Sequence, residues 1–131
     1  MRFSLTLAVA DLQRSAEFYR EVAGLPAEIF VPAAGHPVLL LRCGETVILF
    51  RQTQVMEALH PALFQNLERH PRGVGVSLEF QLPDLEPVLR AVARRRLPVL
   101  YDLEDDEHRR REIWLHDPDG YLLVLQQEED T

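Results

Sequence analysis

The chain carries one pattern twice. Phe3 to Pro26 reads FSLTLAVADLQRSAEFYREVAGLP, and Val76 to Pro98 reads VSLEFQLPDLEPVLRAVARRRLP. Each stretch is an alternating run, an Asp-Leu pair, an amphipathic run and a Leu-Pro pair. Such a duplication means one supersecondary unit used twice. Asp11 and Asp84 are favourable N-caps, because a carboxylate accepts from the free amides of a first helical turn. Leu12, Ala16, Tyr19, Val22 and Ala23 recur at helical spacing, as do Leu85, Val88, Leu89 and Val92. Gly24 supplies a stop for the first helix. Pro87 sits in the first turn of the second, where its missing amide costs little. Arg94 to Arg96 close that helix, where positive charge meets the negative end of its dipole.

Three strand-like segments follow each helix. They are Glu28–Val31, Val38–Arg42 and Thr46–Arg51, then Val99–Asp102, Arg111–His116 and Tyr121–Gln126. Cys43-Gly44-Glu45 and Asp117-Pro118-Asp119-Gly120 turn the last two strands of each set. Both halves therefore read βαβββ: residues 1–52 as a first module and 73–131 as a second, within one domain over 1–131. Residues 53–72 are a connector, with short helical turns at Val55–Leu59 and Pro61–Arg69, that covers a pocket. Glu128–Asp130 is read as a frayed tail. A helix covers only one face of its sheet, so each module needs a partner for the other. The expected architecture is α+β, two βαβββ modules forming a curved mixed sheet around a cleft. Strand alternation assigns the faces. Phe3, Leu5, Leu7 and Val9 turn to the helices, as do Val76, Leu78, Phe80 and Leu82. Ser4, Thr6, Ala8, Ser77, Glu79 and Gln81 then face the cleft.

Composition excludes several classes. The net charge of −7 gives no basic face for phosphate contacts, so no nucleic-acid partner is expected. No apolar run approaches the ~20 residues of a membrane helix, so no membrane partner is expected. Phe3 to Ala10 imitates a short signal segment, but its period of two suits a strand better. With a single cysteine, Cys43, no intrachain disulfide can form, and a reducing, cytoplasmic setting fits. All basic residues are arginine, which removes lysine-dependent chemistry. No glycine-rich phosphate loop, GxSxG or HExxH motif is present.

The runs ADLQRSAEFYREVAGL, Ala10 to Leu25, and REIWLHDPDGYLLVLQQ, Arg111 to Gln127, resemble the vicinal oxygen chelate superfamily. That group includes glyoxalase I, bleomycin-resistance proteins and extradiol dioxygenases. The resemblance covers nearly the whole chain and implies the same fold. It also implies four inward metal-ligand slots, on the first and last strand of each module. Here they fall on Ser4, Leu49, Ser77 and Val124. Hydroxyls and hydrocarbon do not replace imidazole, carboxylate or thiolate donors, so no metal residues and no cofactor are assigned.

Two functions compete, beside the blander case of a structural or regulatory dimer that binds no ligand and fills its cleft with its own side chains. The first is metal-independent binding of a small organic ligand, the bleomycin-resistance-like case. Val47, Leu49, Leu122 and Val124 would form an apolar wall, with Ser4, Thr6, Ser77, Glu79 and Gln81 as the polar minority. Trp114 could stack on a planar ligand, and His116, at the same parity, could reach it. The second is a lyase, isomerase or dioxygenase of the glyoxalase type. It would hold a divalent metal through atypical donors among Glu45, Glu79, Glu112 and His116, with Glu79 as the candidate catalytic base. The bland reading pairs Glu79 with Arg51 or Arg111, and lets Arg111 anchor its strand through a bidentate carboxylate contact. Unpaired sheet edges and apolar faces point to a homodimer.

Overall fold

The computed structural model describes residues 1–128. The order is β1 (Ser4–Val9), α1 (Leu12–Glu17), β2 (Ala27–Phe30), β3 (Val38–Cys43), β4 (Thr46–Gln52), α2 (Thr53–Leu59), β5 (Ser77–Leu82), α3 (Glu86–Arg95), β6 (Tyr101–Asp105), β7 (Arg110–His116) and β8 (Leu122–Glu128). The strands form two four-stranded mixed sheets, β1-β4-β3-β2 and β5-β8-β7-β6. In each, the first strand runs parallel to the last and the other neighbours are antiparallel. The duplication in the sequence is thus a duplication of topology, one sheet per module.

Local signals explain most of the elements. The Asp11 carboxylate accepts from the amides of Gln13 and Arg14 and starts α1. The coil then widens to a π-helical turn over Phe18–Val22. Asp84 accepts from the Glu86 amide at 3.0 Å, but the cap position falls to Leu85, one residue later than expected, and Pro87 lies in the first turn of α3. Gly24 adopts φ +69° after the first helix, a left-handed stop that costs glycine little.

Three expectations are corrected. Pro61–Arg69 is not a continuous helical run: a hydrogen-bonded turn forms at its start, where the Leu63 and Phe64 amides reach the His60 carbonyl at 3.0 Å each, and a 3₁₀ turn forms at Leu67–Arg69. Asn66 before it is left-handed, at φ 56°, and the Glu57 carboxylate takes the Leu67 amide at 2.7 Å. The sixth strand begins at Tyr101 rather than Val99 and extends to Asp105. Phe3 and Val76 do not pack under the helices; they are 58% and 37% exposed. Each precedes its strand by one residue, beyond the reach of the helix that covers the strand. The tail residues 129–131 lie outside the described part of the chain.

One core serves both modules. Leu7, Val9, Tyr19 and Phe50 of the first pack in the same buried cluster as Phe80, Val88, Leu115 and Leu125 of the second. Arg95 of α3 bridges to Glu17 and Glu21 of the first helix. The opposite faces of both sheets remain open. Among the described residues no helix is long and apolar enough to cross a membrane.

Candidate functional site

Strand register assigns the open faces row by row. Across the first sheet, Thr6 lies beside Leu49, Leu49 beside Leu40, and Leu40 beside Glu28. Ser4 lies beside Val47, and Val47 beside Arg42. Ser4 and Thr6 are exposed, and Val47 and Leu49 half-buried. Arg42 approaches Glu28 at 3.8 Å on this same face.

The second sheet has a denser face. Its middle row runs Glu79, Val124, Trp114, Tyr101. The next row runs Gln81, Gln126, Glu112, Leu103. Ser77, Leu122 and His116 form the row on the other side. A hollow of about 420 Å³ opens between that row and the loop from Arg72 to Val76, and Ser77, His116 and Leu122 line it. The candidates of the two modules therefore occupy two separate sheet faces. Within each face, register neighbours are brought together.

Side-chain contacts fix the middle of this face. The rings of Tyr101 and Trp114 meet edge to face, with centroids 5.5 Å apart and planes at 65°. The indole Nε1 of Trp114 donates to Oε2 of Glu112 at 3.1 Å. The amide Nε2 of Gln126 donates to Oε1 of the same carboxylate at 2.9 Å. Among the described residues no cation lies within ion-pair distance of Glu112 or of Glu79.

Several expectations change here. Glu79 pairs with neither Arg51 nor Arg111. Arg111 faces away from the cleft and meets Asp102 through one nitrogen at 3.5 Å, so the expected bidentate anchor is absent. Its Nε is buried without a partner. Val124 is 2% exposed, flanked by Glu79 and Trp114, and forms floor rather than contact surface. Register also puts Tyr101, Gln126 and Glu112 on this face; the sequence reading places neither Tyr101 nor Gln126 there, and gives Glu112 only as a metal donor. Simple alternation from Trp114 finds Glu112. Tyr101 needs the β6–β7 register.

The modules meet at the β7–β8 turn. Asp117, 5% exposed, accepts from the Tyr19 hydroxyl at 2.7 Å and from the amides of Asp119 and Tyr121 at 2.9 Å each. Burial pushes the Asp117 carboxyl above its ordinary range, and these hydrogen bonds pull the other way. Burial and Asp117 together raise the Tyr19 phenol well above its own. Asp119 accepts from the Ala10 amide at 2.8 Å, and Arg72 reaches it at 3.5 Å. The Asp-Pro-Asp-Gly segment is thus a clamp on the first module, which holds β7 and β8 in place beneath the open face.

The match to known proteins decides the family. Residues 3–125 match the family model of the Glyoxalase/Bleomycin resistance protein/Dioxygenase superfamily. The chain belongs to this superfamily. Solved structures agree on the fold. A lactoylglutathione lyase from Agrobacterium tumefaciens is 18% identical, with 97% of this chain and 92% of that one aligned at a TM-score of 0.61. A glyoxalase/bleomycin resistance protein/dioxygenase from Nocardioides is 15% identical, with 99% and 84% aligned at 0.65. TioX from Micromonospora sp. is 16% identical, with 98% and 99% aligned at 0.63. Comparison with curated protein sequences finds no match.

Superfamily membership raises the question of a metal. Ser4, Leu49, Ser77 and Val124, the positions at which the resemblance leads one to expect metal ligands, all lie on the open faces by register. Two neutral hydroxyls and two hydrocarbon side chains do not fit a divalent cation. Among the described residues no group of three or more His, Cys, Asp or Glu side chains is placed to hold one.

Proposed function

We propose that this chain is a superfamily member that binds a small organic ligand on its open sheet face without a metal. The observation that carries the reading is the chemistry of the four slots. Serine, leucine, serine and valine stand at the positions where the resemblance to metal-dependent members of the superfamily leads one to expect charged or imidazole donors. In their place the second sheet presents an aromatic pair, an ordered carboxylate and several amides, a mixture suited to orienting an organic molecule.

A second copy of the chain belongs to this reading. The outer strands β1 and β5 leave one side of their backbone unpaired. Phe3 and Val76 stand exposed beside those edges, and Val74 is 79% exposed in the loop before β5. Unpaired edges with apolar flanks favour association, and a homodimer is the economical way to cover them.

The test is a thermal-melt screen of the chelator-treated protein against a chemically diverse panel, with hits passed to native mass spectrometry. The expected result is a hit that raises Tm in proportion to its occupancy and is recovered chemically unchanged after prolonged incubation. Conversion of the hit into a product overturns the binding-only reading.

A further inference from the structure

We propose that the corner formed by Trp114, Tyr101 and the Glu112 carboxylate takes a planar organic cation bearing an N–H donor. This rests on the small-ligand reading and names the chemical class that the face selects.

Three observations carry it. The first is shape. Trp114 is half-buried on the open face, and Tyr101, 49% exposed, stands against it at 65°. A flat ring laid on the indole meets the phenol of Tyr101 as a side wall. A ring system is favoured over a flexible chain because it loses little conformational freedom on docking there.

The second is charge. Glu112 receives two hydrogen bonds, one to each oxygen, and both donors are neutral. Its negative charge is left without a counter-ion among the described residues, and each oxygen retains acceptor capacity. The geometry is fixed before any ligand arrives, so an incoming N–H meets a positioned acceptor at little ordering cost. Glu79 adds a second, exposed carboxylate on the same face. The chain as a whole carries −7, which repels anions from the same surface.

The third is the coupling between the two. The indole N–H that orders Glu112 belongs to the ring on which the ligand stacks. Donation to a carboxylate enriches the ring in electron density, which strengthens its attraction for a cation over its face. One cation therefore satisfies the ring and the carboxylate together.

Trp114 is the only tryptophan, so its emission reports this corner alone. The probes are proflavine, a flat tricyclic cation with N–H donors at neutral pH, and acridone, a flat tricyclic of similar size without charge. The expected result is saturable quenching at one proflavine per chain, with acridone about tenfold or more weaker, as one charge-assisted contact plus a cation–π contact implies. Glu112→Gln weakens proflavine binding severalfold, toward the acridone level, because the carboxylate contact is lost and the cation–π contact remains, while the melting curve stays cooperative; unchanged proflavine binding overturns the inference. Glu86→Gln, at the exposed start of α3 on the helix side of the sheet, removes one negative charge equally and leaves proflavine binding unchanged. Equal binding of the two probes to the wild type overturns the inference whether or not the variant folds. So does absence of saturable quenching by both. The small-ligand reading is judged separately, by the melt screen.

Discussion

The Tyr19 hydroxyl donates to Oδ2 of Asp117 at 2.7 Å, and this bond joins a helix of the first module to a turn of the second. Both groups are buried, and the phenol remains protonated through the neutral range because burial and Asp117 hold its proton on. Tyr19→Phe keeps the ring and removes the donor. It should cost roughly 1–3 kcal/mol, the penalty for a buried acceptor that loses one partner. Urea unfolding of the two proteins measures it. A change within error would show that this bond adds nothing net to the contacts that join the modules.

Asp117 also gives the fold a pH dependence whose sign follows from its burial. Burial raises its carboxyl above the ordinary value, so the native protein binds this proton more tightly than the unfolded chain does. The group's contribution is most favourable in acid, below the ordinary aspartate value of about 4. It declines as pH rises from there through the folded value, and is flat beyond. Asp117→Asn keeps a carbonyl oxygen for the Asp119 and Tyr121 amides and cannot titrate. The difference in unfolding free energy, wild type minus variant, should therefore fall through the mildly acid range and level off near neutrality. A difference that rises with pH would reverse the assignment.

Much of this was readable in advance, for local reasons. Asp11, Gly24 and Pro87 act on their own neighbours, so their effects follow from the residues beside them. The alternation in β1 and β5 placed Ser4, Thr6, Ser77, Glu79 and Gln81 on the open face, because a side-chain period of two leaves one choice of register. What escaped depended on contacts distant in sequence. That Asp117 and Asp119 clamp Tyr19, Ala10 and Arg72 involves partners far from the turn. The Tyr101–Trp114 corner requires the pairing of β6 with β7, which the charged run from Glu104 to Arg111 obscures. Val124 has the correct parity but is buried, since parity gives direction and not exposure.

Gly73 and Gly75 separate strain from crowding. Both have positive φ, +75° and +80°. A Cβ on Gly73 would stand 2.7 Å from the Tyr121 ring and 3.2 Å from its Cα, whereas one on Gly75 meets nothing within 4 Å. Gly75→Ala should cost about 1 kcal/mol, from backbone conformation alone. Gly73→Ala should cost roughly 2–4 kcal/mol, because Tyr121 must move and its hydroxyl bond to the Ala8 carbonyl, 2.7 Å long, is disturbed. Thermal melts of both variants decide it. Equal losses would mean that the contact with Tyr121 relaxes freely.

The edge strands lead to a prediction about assembly. Sedimentation equilibrium at micromolar concentration should give twice the chain mass of 15.1 kDa. A charge at Phe3, introduced by Phe3→Glu beside the free edge of β1, should shift the protein toward monomer. Because Phe3 is exposed in the single chain, the melting curve of the monomer should remain cooperative. A wild-type protein that sediments as monomer throughout would contradict the dimer.

The central claim concerns chemistry at Ser4, Leu49, Ser77 and Val124, and metal content tests it most directly. The untagged protein, purified without chelator, is assayed for bound metal and then melted with added zinc, nickel, manganese or iron. The account predicts near-zero metal and no rise in Tm with any of the four. One tightly bound metal per chain, with a rise in Tm on reloading, would contradict it.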